Sequence, residues 1–140
     1  MLQPNDTELA ALLQSVKTIA VVGAKDRQGQ PVDRVGRYLI EQGFDVLPVH
    51  PKRRDVWGLP TFASLAELPR PVDMVNLFRA SKFCADHARE VLELEWLPSC
   101  FWMQQGIASP EARKLLEPVG ITVIEDRCLM VEHSRLMGKS

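Results

Sequence analysis

The chain has 140 residues, of which 46% are hydrophobic, and a formal net charge of −1. That is one domain's worth of chain with enough apolar residues for a proper core, and it leaves no strongly basic surface for nucleic acid. No apolar run approaches the roughly 18 residues of a membrane span, and three cysteines (Cys84, Cys100, Cys128) make no disulfide scaffold, so a reduced, cytoplasmic protein is expected.

Residues 5–16 predict an amphipathic helix, with Leu9, Leu12, Leu13 and Val16 on its apolar face. Asn5 is placed to cap it and Glu8 to answer three residues later. A first strand, 18–23, ends in glycine and is followed by a polar, basic loop from Lys25 to Val32. Asp33 is the expected cap of the next helix, with Val35, Leu39 and Ile40 facing inward and Gly43 as the stop. The second strand is 45–49. Residues 51–71 then read as a long, proline-rich connection with a helical turn near 64–68. A third strand (72–78), a helix (81–94) and a fourth strand (100–104) follow. Ser109 caps a further helix with Pro110 in its first position, Gly120 ends it, and a fifth strand (121–125) leads into a tail over 126–140. The alternation predicts a Rossmann-like, doubly wound α/β domain with helices on both faces of five parallel strands. The expected strand order is 3-2-1-4-5, in a single domain over 1–140.

In such sheets ligands bind at the carboxyl ends of the strands, often on backbone N–H groups and a helix N-terminus. That rule gathers Gly23, Ala24, Lys25 and Asp26 with His50, Pro51 and Lys52. It adds Phe78 and Arg79, then Gln104, Gln105 and Gly106, and finally Cys128. Gly23 permits close approach of a phosphate, although neither the G-x-G-x-x-G fingerprint nor a P-loop is present. Where NAD enzymes carry an acid, the second strand here runs into Lys52-Arg53-Arg54, which suits a phosphorylated ribose. Cys128 stands at the ligand edge beside Arg127, a setting that favours a reactive thiol. Cys84 and Cys100 read as buried structural thiols. Cys84 and His87 have helical ligand spacing but no second pair, so no metal is expected. Trp57 and Trp102 are candidates to stack on an adenine, with core packing the better reading for Trp102. His133 reads as packing rather than as a general base.

The run Lys17-Thr18-Ile19-Ala20-Val21-Val22-Gly23-Ala24 opens a series of motifs, continued by Val35-Gly36-Arg37-Tyr38-Leu39 and Gly43-Phe44-Asp45-Val46-Leu47-Pro48-Val49-His50-Pro51. Gln105-Gly106-Ile107 and Asp126-Arg127-Cys128-Leu129-Met130 complete it. In this order the chain resembles the single-domain CoA-binding proteins, relatives of the N-terminal domain of the succinyl-CoA synthetase alpha subunit. The resemblance covers about residues 5–136. It implies that coenzyme A lies across the strand ends, with the loop from Gly23 to Asp26 at its phosphates and Lys52 at its nucleotide. It further implies that Gln104–Gly106 line the cofactor and that Cys128 lies near the thiol end. The family often carries Asn at the position of His50, and the synthetase's second domain, with its phosphorylated histidine, has no counterpart here. The expectation is therefore a non-catalytic module for CoA or acyl-CoA, with a redox link through Cys128. The alternatives are an NAD(P)-binding redox sensor and a thioester enzyme using Cys128.

Overall fold

The computed structural model describes residues 3–138. It opens with α1 (Asp6–Ser15), β1 (Thr18–Val22), α2 (Pro31–Glu41) and β2 (Asp45–Val49). A miniature hairpin follows, β3 (Asp55–Val56) and β4 (Leu59–Pro60), then a 3-10 turn at Leu65–Glu67 and β5 (Met74–Leu77). The chain continues through α3 (Ser81–Leu92), β6 (Cys100–Met103), α4 (Pro110–Leu116), β7 (Thr122–Ile124) and α5 (Leu129–Met137).

Helix ends form where local chemistry supplies caps. Asn5 Oδ1 accepts from the Glu8 N–H at 2.8 Å while Glu8 Oε1 accepts from the Asn5 N–H at 2.9 Å, the reciprocal box expected from the sequence. Ser109 accepts from the Ala112 N–H, with Pro110 as the first helical residue. The start of α2 differs from expectation. Gln30 is the N-cap and Pro31 the first helical residue, whereas Asp33 lies inside the first turn. Asp33 is buried because it accepts a 2.8 Å bond from Trp57 Nε1 and pairs with Arg37 at 2.9 Å.

β1, β2, β5, β6 and β7 form one parallel sheet in the order β2-β1-β5-β6-β7. Counting only these five, the order is 2-1-3-4-5 and not the expected 3-2-1-4-5. The reason lies after β2. Phe62 bridges to Val49, donating its N–H to Pro48 and accepting from His50, so the outer edge of β2 is occupied. The long connection instead returns the chain to the opposite side of β1. This order puts the topological switch point between β1 and β5.

The strands are buried on both faces, as a sheet covered by helices requires. Ala20, Val22, Val75, Leu77, Phe101 and Met103 pack under α3 and α4. Ile19, Val21, Met74, Cys100, Trp102 and Ile124 pack under α1, α2 and α5. The expected tail beyond Asp126 is largely the helix α5, whose Leu129 and His133 are buried, and its last two residues lie outside the described residues. His133 packs edge-on against Tyr38 and Phe44, with its Nδ1 2.7 Å from the Tyr38 hydroxyl. No helix among the described residues is long and apolar enough to cross a membrane.

Candidate functional site

Two clefts open at the carboxyl ends of the strands and meet at the switch point. The first, about 260 Å³, is bounded by Val49, His50 and Pro51 after β2, by Ala63–Ser64, and by His87 and Glu90 of α3. The second, about 550 Å³, runs between the start of α2 and the loops after β6 and β7, where it meets Gln104, Gln105, Ile107 and Cys128. Gly23, Lys25, Phe78 and Arg79 line both. Gly23 has φ +87°, and a Cβ there would stand 2.6 Å from the Phe78 carbonyl oxygen, so only glycine lets the two loops come together at the crossing.

The electrostatics of the first cleft are cationic. His50 Nδ1 accepts from the Lys52 and Arg53 N–H groups at 3.0 and 3.2 Å, which leaves Nε2 as the protonated nitrogen of the neutral ring. Burial first, then the charges of Arg53, Lys25, Arg79 and Lys52, hold this imidazole below its ordinary range. Arg79 is fixed from behind: its Nε–H donates to His87 Nε2 at 3.3 Å and its guanidinium lies 4.4 Å over the Phe83 ring. His87 in turn donates from Nδ1 to Glu90 Oε1 at 3.2 Å, and Glu90 Oε2 accepts from the Leu65 N–H. Although burial acts to raise it, the Glu90 carboxyl stays below its ordinary value through His87 and the Leu65 and Ala66 N–H groups. His87 thus links the Glu90 carboxylate to Arg79. Among the described residues neither Lys25 nor Arg79 is paired with a carboxylate, so both cations remain available to a ligand.

Not every residue expected at the site lines these clefts. Ala24 is fully buried, and the N–H groups of Gly23 and Ala24 both donate to the Val49 carbonyl, at 2.9 and 3.2 Å. Those two are therefore not the phosphate donors anticipated from the strand end. Asp26 lies outside both clefts, 3.6 Å from Arg53, and Lys52 is exposed and lines neither cleft. Gly106 is exposed and donates its N–H to Asp126. Trp57 packs on α2 against Gly36, and Trp102 is buried with its Nε1 donating to the Arg127 carbonyl, so neither offers a face to the clefts.

His87 and Glu90, together with Gln30, Pro31 and Arg34 at the start of α2, line the clefts without having been expected there. The three-residue spacing of His87 and Glu90 on one helix face was the available signal. The cysteines divide as expected from position. Cys84 is buried with its thiol pushed up to about 11, chiefly by desolvation, and burial pushes the Cys100 thiol up as well, whereas Cys128 is partly exposed in the second cleft. No cluster of three or more potential metal ligands occurs among the described residues.

A cation-lined crevice at the switch point of a doubly wound sheet is the place where nucleotide-type ligands bind in folds of this class. Residues 17–134 match the model of the CoA binding domain, and the chain belongs to that family. It is 37% identical to the uncharacterized Bacillus subtilis protein YneT over 96% of this chain and 98% of the relative. A solved structure from Thermus thermophilus is 47% identical, with a TM-score of 0.89 over 96% of this chain and all of that one. The ADP-forming acetate–CoA ligase I of Archaeoglobus fulgidus is 24% identical over 81% of this chain, which spans only 18% of that ligase.

Proposed function

We propose that the chain is a non-catalytic module that holds CoA bent across the carboxyl ends of β1 and β5. The nucleotide occupies the first cleft, among Lys25, His50 and Arg79. The diphosphate crosses over Gly23 near the start of α2, where a helix N-terminus favours anions. The pantetheine arm follows the second cleft towards Cys128. The observation that carries this reading is the continuity of the two clefts through Lys25 and Arg79, with a partly exposed thiol at the far end. A basic first cleft also suits a phosphorylated ribose better than the diol of NAD. Cys128 gives the module a redox link. Its thiolate attacks the disulfide of oxidised CoA, one S–S bond forms to the bound half, and the other half leaves as CoA thiolate. Calorimetry with CoA, NAD and ATP tests the reading: CoA binds most tightly, and NAD binding of equal or greater strength overturns it.

A further inference from the structure

Beneath the second cleft lies a polar pair in an otherwise apolar layer. Asn76 of β5 is fully buried between Val21 and Trp102 of the neighbouring strands. Its Nδ2 donates to Gln104 Oε1 at 3.3 Å, and the Leu129 N–H donates to the same oxygen at 2.9 Å. Two donors on one oxygen fix which way the Gln104 amide faces. The same contact fixes Asn76, whose Oδ1 is buried without any partner. An unpaired buried carbonyl of this kind costs about 1–3 kcal/mol, so a core built only for stability would carry an apolar residue here.

The geometry points to Asn76 as a positioning residue that holds Gln104 with its amide nitrogen turned into the second cleft, as the donor to a carbonyl oxygen on the ligand's arm. This rests on the CoA reading and deepens it. Gln104 lines the cleft, is itself only 4% exposed, and its Nε2 has no protein acceptor among the described residues. Its oxygen is bonded to the residue directly after Cys128, which puts the donor close to the thiol end of the proposed path. A carbonyl there comes from one of two sources, a pantetheine amide or an acyl thioester. Both are acceptors without charge, which a neutral, immobile N–H donor suits better than a lysine does.

The test compares 3′-phospho-ADP, CoA and acetyl-CoA on the parent protein, Asn76→Leu and Gln104→Glu. Gln104→Glu retains an oxygen for Leu129 and Asn76 while replacing the donor by an acceptor. Binding of CoA falls about tenfold in Gln104→Glu, equivalent to one hydrogen bond, and about threefold or more in Asn76→Leu. Binding of 3′-phospho-ADP, which lacks the arm, changes less than twofold in both. Melting of Asn76→Leu stays level with the parent or rises, the opposite sign from a residue kept for stability. A larger loss for acetyl-CoA than for CoA assigns the bond to the thioester; equal losses assign it to an amide. Equal weakening of all three ligands, or no weakening of any, overturns the inference while CoA binding by the parent stands. Failure of the parent to bind CoA overturns the underlying reading instead.

Discussion

Replacing Gly36 by alanine probes the contact that ties α2 to the hairpin beyond His50. A Cβ on Gly36 would lie 2.1 Å from Trp57 Cη2 and 2.2 Å from Cζ2. To reach ordinary contact at 3.4 Å the ring must retreat about 1.3 Å, the difference of the two distances. It is held from the other side, where Nε1 donates to buried Asp33 at 2.8 Å, and its backbone is already at φ 58°. Overpacking of this kind costs about 1–3 kcal/mol, and loosening the bond to a buried carboxylate adds about 1–3 kcal/mol. Because one ring movement causes both, the expected total is about 2–4 kcal/mol. For a chain of this length that lowers Tm by roughly 8–16 °C. Thermal and urea unfolding of Gly36→Ala, Trp57→Leu and the double variant measure it. The double variant falls by less than the sum of the singles, since the clash needs the ring. A Gly36→Ala protein within about 0.5 kcal/mol of the parent, the usual scatter of surface changes, or strictly additive singles, refutes the reasoning.

Arg79→Ala weakens CoA binding about 10–100-fold by calorimetry, the range for hydrogen bonds to charged groups, while Lys52→Ala, outside the clefts, weakens it less; the reverse ranking overturns the proposed nucleotide site. Incubation with CoA disulfide adds one CoA by intact mass to the parent, Cys84→Ser and Cys100→Ser but not to Cys128→Ser, because desolvation keeps the other two thiols protonated. An adduct that survives Cys128→Ser removes this cysteine from the mechanism. His50 titrates below its unfolded value of about 6.5, so the unfolded chain takes up a proton first and stability falls as pH drops below about 6.5. His50→Asn keeps an acceptor for the Lys52 and Arg53 N–H groups but removes that titration, so its Tm declines less than the parent's between pH 8 and pH 5.5; identical declines exclude His50 as the source.

What the sequence revealed follows the range over which its signals act. The strand 45–49, the Asn5–Glu8 box and the Ser109–Pro110 start are local, each set within a few residues, and the structure has them as read. Asp33 looked like a cap because its burial depends on Trp57, on a different element, which a local pattern does not contain. Helix α5 was hidden because its buried face, Leu129 and His133, carries a polar residue that interrupts the apolar period. Strand order was out of reach for a related reason: alternation marks both faces as buried but is the same whichever neighbour a strand pairs with. At the site, the strand-end rule reached Lys25, His50, Arg79, Gln104 and Cys128. It did not reach His87 and Glu90, which lie within α3 and enter the cleft through packing alone. Asn76 read only as one residue of an apolar strand; its lone unpaired oxygen is visible only in three dimensions.

The bridge between Phe62 and Val49 bears on how copies of this chain associate. An open strand margin invites a second molecule to add its own strand and continue the ladder. At the carboxyl half of β2 that invitation is withdrawn: Pro48 has no N–H, its carbonyl is taken by Phe62, and the His50 N–H is bonded to Phe62 in turn. The half of β2 nearest the proposed nucleotide cleft is thereby closed to intermolecular ladders. Copies that meet on this side do so through side chains, and the cleft mouth stays clear of a continuous β-seam.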